Sequence, residues 1–343
     1  MINVRIANND DKRAWNNIAL KAKNSTYAHT WEWKEVIEKG FGIESLYLVA
    51  ENNSGEIVGI YPGFLRPLEI KNIESISRKF RIFESPLYMT WDYGGPCVLP
   101  DADEGILDDL ITQMERFARQ KGAVSLRLSP FEGNNLKKIL VKKGYRISER
   151  LTSIINLMIS EQELWEGLNK KTRTPIRKAK NSGVEIRQDN TEFALKILFN
   201  AMHSLSKFKG FDIPQFEFYK YALDELGDKE MVKIYLANHQ DKPIGAALVL
   251  CFKDMIVTRY WAILPEYRSL QANNLLVWEI LMDGKKNGYK KCDLGGMPSE
   301  EKDGIYIFKS GWNGEIRHVD WFVKNVRFAR MIELYRRIKS GIK

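Results

Sequence analysis

Cys292-Asp293-Leu294-Gly295-Gly296, a seven-residue polar turn, and then Gly304-Ile305-Tyr306-Ile307-Phe308-Lys309-Ser310-Gly311-Trp312 read as two strands flanking a site. The first ends in an acid and two glycines, so backbone can approach another group closely there. The second carries a single lysine among aromatic and aliphatic neighbours, a placement suited to stabilising negative charge. The plainer reading of the same string is a solvent-facing lysine beside a glycine turn, because charged side chains usually face water.

Working outward, the chain has 343 residues, 44% of them hydrophobic, with 9 Trp, enough for two packed cores. Its longest apolar run, Ala246-Ala247-Leu248-Val249-Leu250-Cys251-Phe252, is strand-sized and far short of a membrane span. Met1-Ile2-Asn3-Val4-Arg5 lacks the apolar segment of a signal peptide, so cytoplasmic residence without stable membrane insertion is the expectation. Cys97, Cys251 and Cys292 are isolated, and His29, His203, His239 and His318 show no ligand spacing; neither disulfides nor a metal are expected.

The net charge of +9 is concentrated. Residues 168–187 and 323–343 together carry +12, leaving the rest at −3. Such clustering favours a polyanionic partner, against the alternative of solvated helix faces. In the first cluster Lys170, Lys171, Arg173, Arg177 and Lys178 surround Pro175, which is expected to break the helix in two. Cations without interleaved aromatics hold a phosphate backbone but do not read bases.

The chain also repeats itself. Leu46-Tyr47-Leu48-Val49-Ala50 to Gly59 is echoed by Ile234-Tyr235-Leu236-Ala237 to Gly245, each a strand, a polar turn and a second strand. Phe117 to Leu128 is echoed by Asp283 to Leu294, each a helix end, a glycine stop and a strand. The two offsets differ by about 20 residues, which an insertion near 66–95 explains. Helical stretches precede each hairpin, at about 10–23 and 30–39 and again at 161–181 and 191–206, with Ser160 and Glu163 as a capping box.

Each half thus runs helix, helix, antiparallel hairpin, helix, strand. This mixed α/β order resembles the GNAT acyltransferase fold, here twice in tandem. The expected domains are 1–152 and 153–324, with an amphipathic helix at 325–343 packing back on the first.

The opening stretch, with Asp293-Leu294-Gly295-Gly296 followed by Gly304-Ile305 and Phe308-Lys309, resembles the Asp-Gly-Gly strand and Gly-Ile-x-x-Phe-Lys signature of the FemAB/FemX aminoacyl-tRNA-dependent peptidyltransferases. Thr172 to Val184, Pro214 to Tyr219 and Trp31-Glu32-Trp33-Lys34 add weaker matches, so that the resemblance covers most of the chain. It implies an aminoacyltransferase that moves an amino acid from aminoacyl-tRNA to an amine on a nucleotide- or lipid-linked peptide of peptidoglycan synthesis. No cofactor is implied, and the residues fix no oligomeric state.

Aminolysis of an ester needs a neutral amine, a held carbonyl and donors where the oxyanion forms; one such donor contributes about 3 kcal/mol of barrier lowering. The resemblance gives that role to Lys309, with Phe308 beside it. Asp293 is a candidate to orient the amine or take its proton, or else is a turn cap. Tyr260, with Arg259, matches a tyrosine that contacts the acceptor, and its alternative is a core residue with a paired tip. Lys34 matches a lysine on the acceptor's phosphates, against a solvated helix lysine. Gly295 and Gly296 give a substrate room.

An ordinary GNAT enzyme cradles coenzyme A on a glycine-bearing loop, but Arg268-Ser269-Leu270-Gln271-Ala272-Asn273 has neither glycine, which disfavours acetyl-CoA as donor. The long helical hairpin of larger Fem proteins has no counterpart, so the compact FemX type is expected. Two other readings stay open: an acyl-CoA-dependent N-acyltransferase, and a non-catalytic RNA or anionic-surface binder. The reaction centre is expected in the second half, where Tyr260, Asp293 and Lys309 converge.

Overall fold

The computed structural model describes residues 2–67, 81–85, 92–103, 105–131 and 134–326. In chain order the elements are β1 (Asn3–Ile6), α1 (Lys12–Lys21), α2 (Trp31–Phe41), β2 (Glu44–Ser45), β3 (Leu48–Glu51), β4 (Ile57–Tyr61), β5 (Phe64–Pro67), β6 (Arg81–Ser85) and β7 (Cys97–Val98). Next come α3 (Gly105–Gln120), β8 (Ala123–Leu128), α4 (Asn134–Lys142), β9 (Arg146–Ser148), β10 (Leu151–Asn156), α5 (Glu161–Gly167), α6 (Lys170–Asn181), β11 (Val184–Gln188), α7 (Glu192–Lys209) and α8 (Phe216–Leu226). The chain continues through β12 (Val232–His239), β13 (Lys242–Phe252), β14 (Met255–Ile263), α9 (Ala272–Lys286), β15 (Lys291–Asp293), α10 (Gly304–Ser310), β16 (Glu315–His318) and β17 (Trp321–Asn325).

Two compact units result. The first comprises Met1–Lys34, Gly42–Glu149 and Val319–Lys343, the second Glu35–Phe41 and Arg150–His318. The first unit holds two sheets, ordered β1-β3-β4-β7 and β2-β5-β6-β8-β17-β9. Helix α3 buries Ile106, Leu110, Ile111, Met114 and Ala118, positions three and four apart that form one apolar stripe. They join Tyr61, Phe83, Leu126 and Phe322 in this unit's core. The expected insertion near 66–95 includes β6; residues 68–80 and 86–91 lie outside the described ones, as do residues 327–343 of the expected C-terminal helix, while Asn325 closes β17.

The second unit is built on a seven-stranded sheet, β11-β12-β13-β14-β15-β10-β16. It is mixed: β14 and β15 run parallel while the other pairs are antiparallel. β13 is buried continuously from Ile244 to Phe252, as a central strand covered on both faces must be. Helix α9 is apolar nearly all round and packs Leu276, Val277, Ile280 and Leu281 into the core with Ile155, Val249 and Trp312. The hairpins read as repeats are β3–β4 and β12–β13, with Ala50 opposite Gly59 and Ala237 opposite Gly245.

Two local expectations are overturned. Gly304–Ser310 is a helix, not a strand. The β-prone run Ile-Tyr-Ile-Phe is outweighed by its ends: Asp303 caps the first turn, its carboxylate accepting the Ile305 N–H at 2.7 Å. At the other end the Gly311 carbonyl accepts bonds from Thr172 Oγ1 (3.0 Å) and the Asn169 N–H (3.2 Å). A Cβ on Gly311 would lie 2.5 Å from Thr172 Oγ1, so glycine is required for that junction. Nor does Pro175 break the basic stretch, for α6 runs unbroken from Lys170 to Asn181. The break falls earlier, between α5 and α6 at Leu168 and Asn169, where Asn169 caps the new helix through the Thr172 N–H at 2.9 Å. Thr172, Ile176 and Ala179 then hold the buried face of α6 in place.

Candidate active site

Parallel strands β14 and β15 pair only from Met255–Lys291 to Val257–Asp293, after which they part. Ligands of open α/β sheets bind at such carboxyl ends. A register shift opposite Leu248 and Val249 makes Arg259 the extra residue of a bulge in β14, and bulges re-aim neighbouring side chains. Thr258 and Tyr260 are buried there, while Arg259 and Trp261 are partly open.

Asp293, the last residue of β15, is wholly buried. Its Oδ1 accepts the Thr152 hydroxyl and, at 2.7 Å, the Gly295 N–H. That second bond closes a turn in which Gly295 takes φ +78, a left-handed conformation that glycine adopts without strain. The turn presents two carbonyls to the last turn of α10: Lys309 Nζ donates to Gly295 O at 3.0 Å and to Gly296 O at 2.9 Å. An ammonium has three donors, so among the described residues one N–H remains for a further acceptor. The same nitrogen stands 5.4 Å from the centre of the Trp261 ring, within cation–π range.

Lys309 is only 6% exposed. Burial pushes its ammonium down from 10.5 to about 8; the Asp293 charge opposes that fall and the Arg259 charge adds to it. A cation held this way is charged at neutral pH yet poorly compensated, a combination that favours an incoming negative charge.

Aromatic side chains cluster around Arg259 and beside Lys309. The Arg259 guanidinium lies 4.8 Å from the Tyr260 ring centre, and the Tyr260 ring meets that of Tyr219 edge-on at 5.0 Å. Tyr219 is fully buried and its hydroxyl has no hydrogen-bond partner among the described residues; burial raises its pKa well above the usual tyrosine value. Phe308 is half-buried, its ring 6.0 Å from that of Trp312.

The sequence candidates therefore divide. Lys309, Asp293, Gly295, Gly296, Arg259, Tyr260 and Phe308 all belong to the second unit, around the end of β15. The cations of α6 belong to it too: Lys170, Lys171, Arg177 and Lys178 are exposed, and Arg173 reaches the Glu166 carbonyl at 3.3 Å. Arg177 lies over the Trp165 ring at 5.2 Å. Lys34 falls in the first unit, 4.8 Å from the Trp31 ring centre. Two clefts of about 440 and 430 Å³ run along β11, sharing Glu185 and Ile186, and none of these candidates lines them. The chemistry, rather than cavity size, marks the site.

Reading the sequence alone passed over Thr152, Thr258 and Tyr219. Thr152 sits 141 residues from Asp293, and only the pairing of β10 with β15 makes them neighbours. Tyr219 ends the Pro214–Tyr219 string, and its signal was an aromatic cluster rather than a reactive type.

Comparisons with known proteins agree with this architecture. Residues 168–309 match the model of an acetyltransferase (GNAT) domain, a span that contains both Asp293 and Lys309. A crystal structure of FemX superposes with a TM-score of 0.74, covering 96% of this chain and 100% of that one at 14% identity. In fold the chain is like FemX, and residues 168–309 are similar to a GNAT acetyltransferase domain. A tandem GNAT protein from the clavulanic acid biosynthesis pathway matches the chain in fold with a TM-score of 0.60, over 94% of it and 98% of that protein, at 11% identity. In sequence, lipid II:glycine glycyltransferases from two strains of Staphylococcus epidermidis are 26% identical over 227 residues, 59% of this chain. The chain spans about half the length of these relatives, 52%.

Proposed function

We propose that the chain is an aminoacyltransferase that moves an amino acid from aminoacyl-tRNA to an amine of a lipid- or nucleotide-linked peptide precursor of peptidoglycan. The observation that carries this reading is the Lys309 ammonium, buried, oriented by two carbonyls and, among the described residues, left with one free N–H at the end of β15. In the reaction the acceptor amine attacks the ester carbonyl carbon and an oxyanion forms. Lys309 donates to that oxyanion. Collapse breaks the ester C–O bond, the new amide remains on the acceptor, and the proton lost by the amine ends on the departing ribose hydroxyl. Asp293 contributes its charge, which favours the protonated state of Lys309. Arg259, Tyr260 and Phe308 are assigned to contacts with the reacting groups.

The donor's phosphates are assigned to α6. Its exposed Lys170, Lys171 and Lys178 form a sequence-independent phosphate track, and its first turn is bonded to Gly311, two residues beyond Lys309. Lys34 is assigned to the acceptor's phosphates. Support for the acceptor class comes from the relatives named as lipid II:glycine glycyltransferases.

A second reading, acyl-CoA-dependent N-acyl transfer, has one observation in its favour. Gln271, ahead of α9, adopts φ +61, so the left-handed turn expected of a glycine exists without one. Offering labelled aminoacyl-tRNA and labelled acetyl-CoA side by side with lipid- and nucleotide-linked peptides separates the two. Label moving from tRNA alone upholds aminoacyl transfer; label moving from acetyl-CoA alone, with tight acetyl-CoA binding by calorimetry, overturns it.

A further inference from the structure

Thr152 lies on β10, which pairs with β15 through Ile154 and Asp293. It is wholly buried, and its plain role would be to fill space with its methyl group. Its hydroxyl has a more specific position. It donates to Asp293 Oδ1, the same oxygen that accepts the Gly295 N–H. Thr258, from β14 on the other side, donates to the Asp293 carbonyl at 3.3 Å. The carboxylate is fully buried, and a buried anion depends on each donor it has. Take the Thr152 hydroxyl away and Oδ1 has lost a donor that helps to fix its direction. The turn it closes at Gly295 is the one whose carbonyls hold Lys309.

We infer that Thr152 is a positioning residue: acting through the Asp293 carboxylate, its hydroxyl fixes the left-handed turn at Gly295 and so aims the two carbonyls that orient the Lys309 ammonium. Valine at this position keeps the shape and loses the bond. Serine keeps the bond and loses a methyl group. A packing role predicts that serine does more harm than valine, and a positioning role predicts the reverse.

The test reads Lys309 directly. The full-length chain is pulse-labelled with acetic anhydride across pH 6 to 11, and modification of Lys309 is quantified by mass spectrometry for the parent, Thr152→Val, Thr152→Ser and Asp293→Asn, with circular dichroism as a check of folding. The parent midpoint is expected near 8. In Thr152→Val the turn relaxes, the amine gains solvent and the midpoint rises by about one pH unit toward that of an ordinary lysine. Thr152→Ser stays with the parent. Asp293→Asn falls below the parent, because its amide oxygen still accepts both donors while the charge that favoured the ammonium is gone. Should valine not be accommodated, Thr152→Ala is read in its place.

A Thr152→Val midpoint equal to the parent's, or a Thr152→Ser midpoint displaced as far as the valine variant's, overturns the inference. The kinetic arm rests on the proposed transfer reaction: Thr152→Val should lower kcat about tenfold with KM within about twofold, and Thr152→Ser should restore it. If the parent transfers nothing from any donor, the transfer reading fails while the labelling still decides the role of Thr152.

Discussion

Among the described residues each unit sets one parallel strand pair in a sheet that is otherwise antiparallel, and each buries a charge beside it; the two charges are treated differently. In the first unit Glu84, on β6, is wholly buried and lies across from Arg127 on β8 in direct register, 3.0 Å away, with Arg66 from β5 at 3.3 Å. Among the described residues both arginines come from strands of its own sheet. In the second unit Lys309 is nearly as buried, but its hydrogen bonds go to neutral carbonyls; burial lowers its proton affinity, the nearby Asp293 charge opposes that fall without cancelling it, and Arg259 adds to it. A buried ion matched by opposite charges serves the fold, whereas one left short of them is available to a substrate.

Removing each charge should expose the difference. Lys309→Ala is expected to lower transfer from aminoacyl-tRNA by about 10²- to 10³-fold, equivalent to roughly 3 to 4 kcal/mol of barrier, with the loss in kcat rather than KM. Glu84→Gln should leave kcat near that of the parent but cost about 3 kcal/mol of stability in denaturant titration, because two arginines keep their places without the charge that paired them. The figure sits low in the range for broken buried pairs, since Arg66 and Arg127 retain some solvent contact. If Glu84→Gln abolishes transfer while the chain stays folded, the contrast between a structural and a functional charge is wrong.

The sign reverses for stability at Lys309. In the unfolded chain its ammonium titrates near 10.5, in the folded chain near 8. Between those values the unfolded state binds more protons, so folding is favoured as pH rises through the window. Below about pH 8 both states are charged and the folded chain carries the whole cost of burial. The stability of Lys309→Met relative to the parent should therefore be about 3 kcal/mol more favourable at pH 7 than at pH 10.5. A difference that does not change with pH would mean that the ammonium is better compensated than its hydrogen bonds indicate. Catalysis runs the opposite way, since neutralising Lys309 removes the oxyanion donor, and kcat should decline above about pH 8.

How much of this the sequence disclosed depends on the range over which each feature is determined. The tandem hairpins and the stripes of α3 are local patterns of period two and 3.6, so the mixed α/β architecture could be read from them. Asp293 and Lys309 were legible as a pair because fixed strings surround them. Gly304–Ser310 was misread because Ile305, Ile307 and Phe308 favour a strand on intrinsic preference, while its helical state comes from the Asp303 cap and from Thr172 and Asn169, which bond Gly311 from far along the chain. Pro175 was misread for a similar reason, since a breaker in an isolated helix is tolerated where Thr172, Ile176 and Ala179 are held in a core. Thr152 had no local signal at all, because strand pairing creates its role.

The two glycines after Asp293 sharpen the comparison at its finest grain. A Cβ on Gly295 would sit 3.5 Å from Lys309 Nζ and 3.6 Å from the Thr258 carbonyl, both ordinary contacts, so Gly295→Ala is not a matter of space. Its cost is the backbone: φ +78 is disfavoured for an L-residue by about 1 to 2 kcal/mol, to be read in denaturant titration. Gly296 bears no such constraint, and a Cβ there would meet only the Leu151 carbonyl, at 3.9 Å. Gly296→Ala should therefore be neutral in stability within about 0.5 kcal/mol. A methyl group in that open space touches the chain lightly and an incoming substrate directly, so a raised KM with kcat and stability unchanged is the outcome expected if substrate passes over Gly296. Unchanged KM would move the substrate's path elsewhere and leave Gly296 with one role only, that of presenting its carbonyl to Lys309.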